Sequence, residues 1–204
     1  MSASDAFGLF GCGLASLAAA ATAIRLRRLP VRVRCAVMLA AALAVFVPIG
    51  ELSIAAWVRG VTGDLSTATL VLAGAACITQ VTGRTLIGRR DQQALCWLLA
   101  LAAAFLYPFA LGWTRFDPYA LGFGSVEFVT ALLLITLAAW RARLNLIVLV
   151  VVVAVPAFLG GAYESRNLWD YLIDPLVSFY ALAWLLAGVR RRPSNDPTET
   201  APAA

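Results

Sequence analysis

The chain contains no lysine and no histidine. Without a lysine amine there is no Schiff base, so a retinal-type pigment is excluded. Without imidazole, bis-histidine haem, histidine-ligated zinc and serine–histidine or cysteine–histidine catalysis are excluded too. Neither a Walker-type glycine–lysine loop nor a Rossmann glycine fingerprint is present. Cysteine is sparse. Cys12, Cys35, Cys77 and Cys96 show no metal-motif spacing and no disulfide framework, so they read as small apolar residues. Charge is sparse as well, at 13% of residues. Any chemistry falls to carboxylates, arginines, hydroxyls or a carboxylate-bound hard cation, and no cofactor is implied.

What the chain has in excess is apolar surface. Its 204 residues are 62% hydrophobic, with a mean hydropathy of +0.85, whereas soluble domains are about half apolar. Seven apolar stretches, 6–24, 35–58, 66–83, 94–113, 126–140, 144–163 and 172–189, approach the roughly 20 residues that cross about 30 Å of hydrocarbon. They predict an all-α fold: a polytopic transmembrane helix bundle of about seven spans. A single transmembrane domain over 1–192 is expected, followed by a disordered cytoplasmic tail over 193–204 that carries Pro193, Pro197 and Pro202.

Every one of the 16 basic residues is an arginine. All but three fall in four clusters between apolar stretches: Arg25, Arg27, Arg28, Arg32 and Arg34; Arg84, Arg89 and Arg90; Arg141 and Arg143; and Arg190, Arg191 and Arg192. Positive charge flanking a span stays on the side of synthesis. Placing all four clusters in the cytoplasm puts the N-terminus outside and the C-terminus inside without contradiction. Most acids then face outward with Arg59, Arg115 and Arg166. The pI near 9.4 is thus a topology signal near anionic headgroups, not a sign of nucleic acid. Met1 to Asp5 carries no basic residue, so the first stretch is expected to be a retained anchor and not a signal peptide. The expectation is a multi-pass protein of the cell membrane, a bacterial inner membrane, with the lipid bilayer as its surroundings.

The last six stretches read as three similar hairpins. Each rising helix carries a proline and then a glycine: Pro48 and Gly50, Pro108 and Gly112, Pro156 and Gly160. An outer aromatic follows (Trp57, Trp113, or Tyr163 with Trp169), then an arginine and an aspartate. Three kinked helices opening a cavity outward is one reading; the ordinary frequency of Pro and Gly in spanning helices is the other. The first stretch places Gly8, Gly11, Ala15, Ala19 and Ala23 three or four apart. Such a small-residue face suits close internal packing or contact with a membrane-protein partner.

Among polar residues, Glu51 stands out. It falls inside the second stretch, roughly 10 Å below its outer end, where a carboxylate is costly and functional by default. Glu127 opens the fifth stretch, where the helix dipole favours an acid. Asp117–Pro118 and Asp174–Pro175 match an N-cap followed by proline, and Asp64 precedes the third stretch as a cap. Residues 163–171 form the densest polar segment. If helical, it aligns Tyr163, Asn167, Asp170 and Asp174 on one face. Glu51, Asp170 and Glu127 are therefore the candidate catalytic acids, and Arg59, Arg115, Arg166, Asn167 and Asp117 the candidate substrate-binding groups. No metal site is assigned. Three functions fit: an accessory or assembly subunit of a membrane complex with an outward polar site; an outer-leaflet transferase or hydrolase acting on a lipid-linked or anionic substrate; and a small carrier. Whether the chain is an enzyme stays open at this point.

Overall fold

A computed structural model describes residues 2–112 and 116–190; the expected tail at 193–204 lies outside the described residues. The fold is all-helical apart from one two-stranded hairpin. Nine α-helices occur among the described residues. They are α1 (Ala3–Ala23), α2 (Val31–Phe46), α3 (Ile54–Thr62), α4 (Thr67–Thr82), α5 (Arg89–Ala110), α6 (Val126–Arg141), α7 (Asn145–Leu159), α8 (Leu168–Leu172) and α9 (Pro175–Arg190).

Their limits follow from local chemistry. Ser2 caps α1 in a capping box with Asp5, while Ser53, Ser66 and Ser125 accept from the backbone at the starts of α3, α4 and α6. Asp117 caps a 3-10 turn at Pro118–Phe123. At the end of α7, Gly161 takes a positive φ of 63°. Gly161 N–H then donates to Phe158 O and Ala162 N–H to Ala157 O, which is a Schellman stop. The same pattern closes α6 with Arg143 (φ 57°) in place of the usual glycine. Arg25 ends α1 in a similar left-handed conformation (φ 54°).

The second apolar stretch, expected as one span over 35–58, is not one helix. α2 ends at Phe46, because proline disfavours helical backbone at Val47 before it and offers no N–H of its own. A tight hairpin of β1 (Pro48–Ile49) and β2 (Leu52–Ser53) follows, pairing Ile49 with Leu52. Gly50 supplies its positive φ of 78° at the first turn position. The short helix α3 then completes the segment. Pro108 and Pro156, by contrast, sit inside the last turns of α5 and α7.

α1 runs parallel to α4, from Gly11 beside Leu70 to Arg27 beside Gln80. α5 lies along α9, with α4 and α7 beside them, and their core holds Leu95, Leu99, Leu106, Ile147, Val150 and Val177. A smaller cluster of Ala154, Tyr163, Leu168 and Tyr171 lies beneath the 160–173 segment. α2 and α6 are peripheral: each buries one side chain, Val45 and Ala139. Large apolar side chains point outward all around the bundle, among them Leu39 and Leu43 on α2, Leu101 on α5, Leu133 and Trp140 on α6, Val152 on α7 and Phe179 on α9. By length and composition, two of the described helices can cross a membrane, Ala3–Ala23 and Arg89–Phe109. Helix length thus carries two spans and not the expected seven.

Charge separates between the two ends of the bundle. At one end Arg59 binds Asp5 and Asp64, Asp174 accepts from Ser66, and Asp170 accepts from Tyr119 of the 3-10 turn. At the other, Arg27 N–H donates to Gln80 Oε1 (3.0 Å) and the Arg90 guanidinium to Ala142 O (3.3 Å). These are called the acidic end and the arginine end below.

Candidate functional site

The acidic end is built around three carboxylate clusters. In the first, Arg59 of α3 binds Asp64 through Nε (2.7 Å) and Asp5 of α1 through Nη1 (2.9 Å). Both acids raise the affinity of the guanidinium for its proton. Gly8 makes this possible, since a Cβ there would stand 2.0 Å from the Asp64 carboxylate and 2.6 Å from Arg59 Nε. Asp64 was expected to cap α4; Ser66 caps it instead, and Asp64 is used as the partner of Arg59.

Asp174 forms the second cluster and is only 5% exposed. Its Oδ1 accepts Val177 N–H (2.8 Å), capping α9 as the Asp–Pro pair predicts. Its Oδ2 accepts Ser66 N–H (2.8 Å), Ser66 Oγ–H (2.7 Å) and Thr69 Oγ1–H (2.5 Å). One carboxylate therefore serves the N-termini of α4 and α9 together, where both helix dipoles favour negative charge. Nearby, Thr67 Oγ1 donates to Tyr171 O (2.7 Å) and the Tyr163 hydroxyl donates to Leu65 O.

The third cluster holds Asp170. It accepts from Ser165 Oγ (2.5 Å) and from the Tyr119 hydroxyl (2.9 Å). Burial first, and the neighbouring Asp170 second, push the Tyr119 phenol up to about 12. Asn167 is fully buried. Its Nδ2 donates to Tyr119 O (2.8 Å) and its Oδ1 accepts Trp169 N–H (2.9 Å), while Trp169 Nε1 donates to Pro118 O (3.0 Å). Gly122 leaves the space for this join, because a Cβ there would lie 1.8 Å from Asn167 Oδ1.

Between these clusters lies a cleft of about 390 Å³, lined by Asp64, Asp170 and Asp174, by Tyr107, Tyr119 and Tyr163, and by Thr62 and Ser165. The expected continuous helix through 163–171 does not form, since the Gly161 stop ends α7 and Asn167 caps α8 only from Leu168 onward. Tyr163, Asp170 and Asp174 still converge on the cleft by way of irregular backbone. Asn167 is spent joining α8 to the 3-10 turn.

The other expected site residues do not gather here. Glu51 sits exposed in the hairpin turn instead of inside a span. Glu127 is exposed in the first turn of α6, and Asp117 is an exposed cap. Arg166 is exposed and makes no ion pair among the described residues. Arg59 is engaged with Asp5 and Asp64, and Arg115 lies outside the described residues. Reading from sequence missed Tyr119 and the serines Ser66 and Ser165. Ser66 carries a usable signal, a serine directly before a helical apolar run; Ser165 and Tyr119 carry none.

Chemically, these carboxylates accept from hydroxyls and backbone N–H groups, and no stronger base stands beside either serine. Among the described residues no group of three or more Cys, Asp or Glu side chains is disposed to hold a metal ion. The chain matches no known protein family, no characterised protein and no solved structure.

Proposed function

We propose that this chain is a multi-pass membrane protein serving as an accessory or assembly subunit, with seven helices (α1, α2, α4, α5, α6, α7 and α9) crossing the bilayer and the acidic end outside. The outward display of large apolar side chains supports it, since water tolerates no such surface over a whole bundle. The gathering of most arginines at one end and most acids at the other supports the orientation. Helices of 15 or 16 residues, such as α2 and α7, reach about 24 Å and suit a locally thinned bilayer.

One observation carries the choice of scaffold over enzyme. The acids of the polar end are consumed in joining helices, while Glu51, Glu127 and Arg166 stand apart from them. An anion clamp needs convergent guanidinium groups. The outer-leaflet enzyme is the second reading, favoured by the cleft between Asp64, Asp170 and Asp174. Thr62→Val and Tyr107→Phe, which each remove a hydroxyl from the cleft, separate the two in cells that depend on the protein. The scaffold predicts full function and normal thermal stability in detergent for both. Loss of function at unchanged stability in either variant would restore the enzyme. Reporter fusions after α9 test the orientation, and activity outside the cell would overturn it.

A further inference from the structure

We propose that the groove between α1 and α9, floored by α4, seats one acyl chain of an anionic phospholipid from the leaflet at the arginine end. This rests on the membrane-spanning reading above. The groove encloses about 690 Å³, within the roughly 300–1,000 Å³ of ligand sites in general. Small side chains make its walls, Ala15 and Ala19 on α1 facing Ala73 and Ala76 on α4, with Leu176 and Val177 on α9 opposite. This divides the small-residue face of α1. Gly8 and Gly11 pack internally, against the Arg59–Asp64 pair and Leu70, and the alanines beyond them stay open.

From Thr69 to Gln80 the floor helix rises about 16 Å, so the groove follows most of α4 and ends among the arginines.

Gln80 is an independent pointer. It is 7% exposed and lines the groove at the arginine end. Its Oε1 accepts Arg27 N–H, but its amide nitrogen has no hydrogen-bond partner among the described residues. Lining the groove, that amide can donate to a phospholipid ester or phosphate oxygen. Charge agrees. Exposed Arg25, Arg27 and Arg28 follow the groove residues Thr22 and Ala23, and exposed Arg84 and Arg89 flank Thr85 to Ile87 on the other lip. An anionic headgroup fits that rim.

The test uses the full chain purified in detergent, with native mass spectrometry and thermal unfolding against phosphatidylglycerol and phosphatidylcholine of matched chains. One phosphatidylglycerol should be retained per protein, at least tenfold over phosphatidylcholine, with a rise in Tm. Ala19→Phe with Ala76→Phe fills the groove and should cut retention at least tenfold. If that pair fails to fold, Ala19→Phe alone, at an exposed position, should show the same loss. Gln80→Leu should lower the phosphatidylglycerol preference while leaving chain binding. Equal retention of both lipids, unchanged by filling, would mean annular lipid only and overturn the proposal. So would a dimer that filling converts to monomer, since the groove would then hold a second copy. Alkaline carbonate washing of membranes separates the two readings. Release from the bilayer sinks both, whereas retention in the bilayer with no groove lipid sinks this one alone.

Discussion

Removing the Asp174 carboxylate should unfasten two helices at once. In Asp174→Ala, Ser66 N–H and Val177 N–H both lose their acceptor in a buried setting. Each such orphan costs about 1–3 kcal/mol. The hydroxyls of Ser66 and Thr69 lose the same acceptor, but a rotating hydroxyl finds a substitute within its own helix more easily than a fixed N–H does. The sum is about 3–5 kcal/mol. At roughly 2–4 °C per kcal/mol for a chain of this size, Tm should fall on the order of 10 °C. Asp174→Asn keeps one carbonyl oxygen and turns an NH2 toward donors, so it preserves one cap and should lose about half as much. Thermal unfolding in detergent, followed by circular dichroism and size exclusion, measures both. A double-mutant cycle with Thr69→Val should show coupling, because the two side chains share one bond. An Asp174→Ala variant within about 1 kcal/mol of the parent would refute the account of a carboxylate joining two N-termini.

Gly122→Ala and Gly8→Ala should each destabilise, the first by pushing Asn167 off the 3-10 turn and the second by splitting Arg59 from Asp64; unchanged Tm for both would sink the close-approach argument. Tyr119 keeps its proton to about pH 12 when folded, against about 10 for a free tyrosine. Its contribution is therefore fully present below pH 10 and lost as pH climbs through 12. Tyr119→Phe should lose about 1–2 kcal/mol at neutral pH and show a shallower alkaline decline, read from unfolding curves at several pH values.

Helical stretches are legible in this sequence because apolar runs between arginine clusters leave little else to form. Legibility fails at Pro48. In composition it resembles Pro108 and Pro156, yet those fall where their helices already end, while Pro48 precedes Ile49 and a glycine free to take positive φ. The hairpin that results lifts Glu51 out of the apolar stretch, and the main reason for suspecting it goes too. The Asp–Pro caps are legible because capping is local: Asp117 and Asp174 meet N–H groups two or three residues on. What Asp174 does beyond capping is not, since Ser66 and Thr69 lie more than a hundred residues upstream. The same holds for Asp170, whose partner Tyr119 comes from a separate loop, and for Gly8, whose role depends on Arg59 of α3 and Asp64 just after it.

The bond between Asp174 and Ser66 also has a place in time. Chains emerge N-terminus first, so the start of α4 is made while residues 163–177 are still unmade. Until they arrive, Ser66 N–H lacks its carboxylate, Thr67 lacks Tyr171 O and Leu65 O lacks the Tyr163 hydroxyl. Meanwhile α1, α3 and α4 already hold one another through Arg59 with Asp5 and Asp64 and through Arg27 N–H on Gln80. The acidic end is completed only once α8 and the start of α9 have been made. A chain stopped before residue 163 would hold most of its helices and none of these three bonds, so the protein's last fifth supplies the partners that the start of α4 awaits.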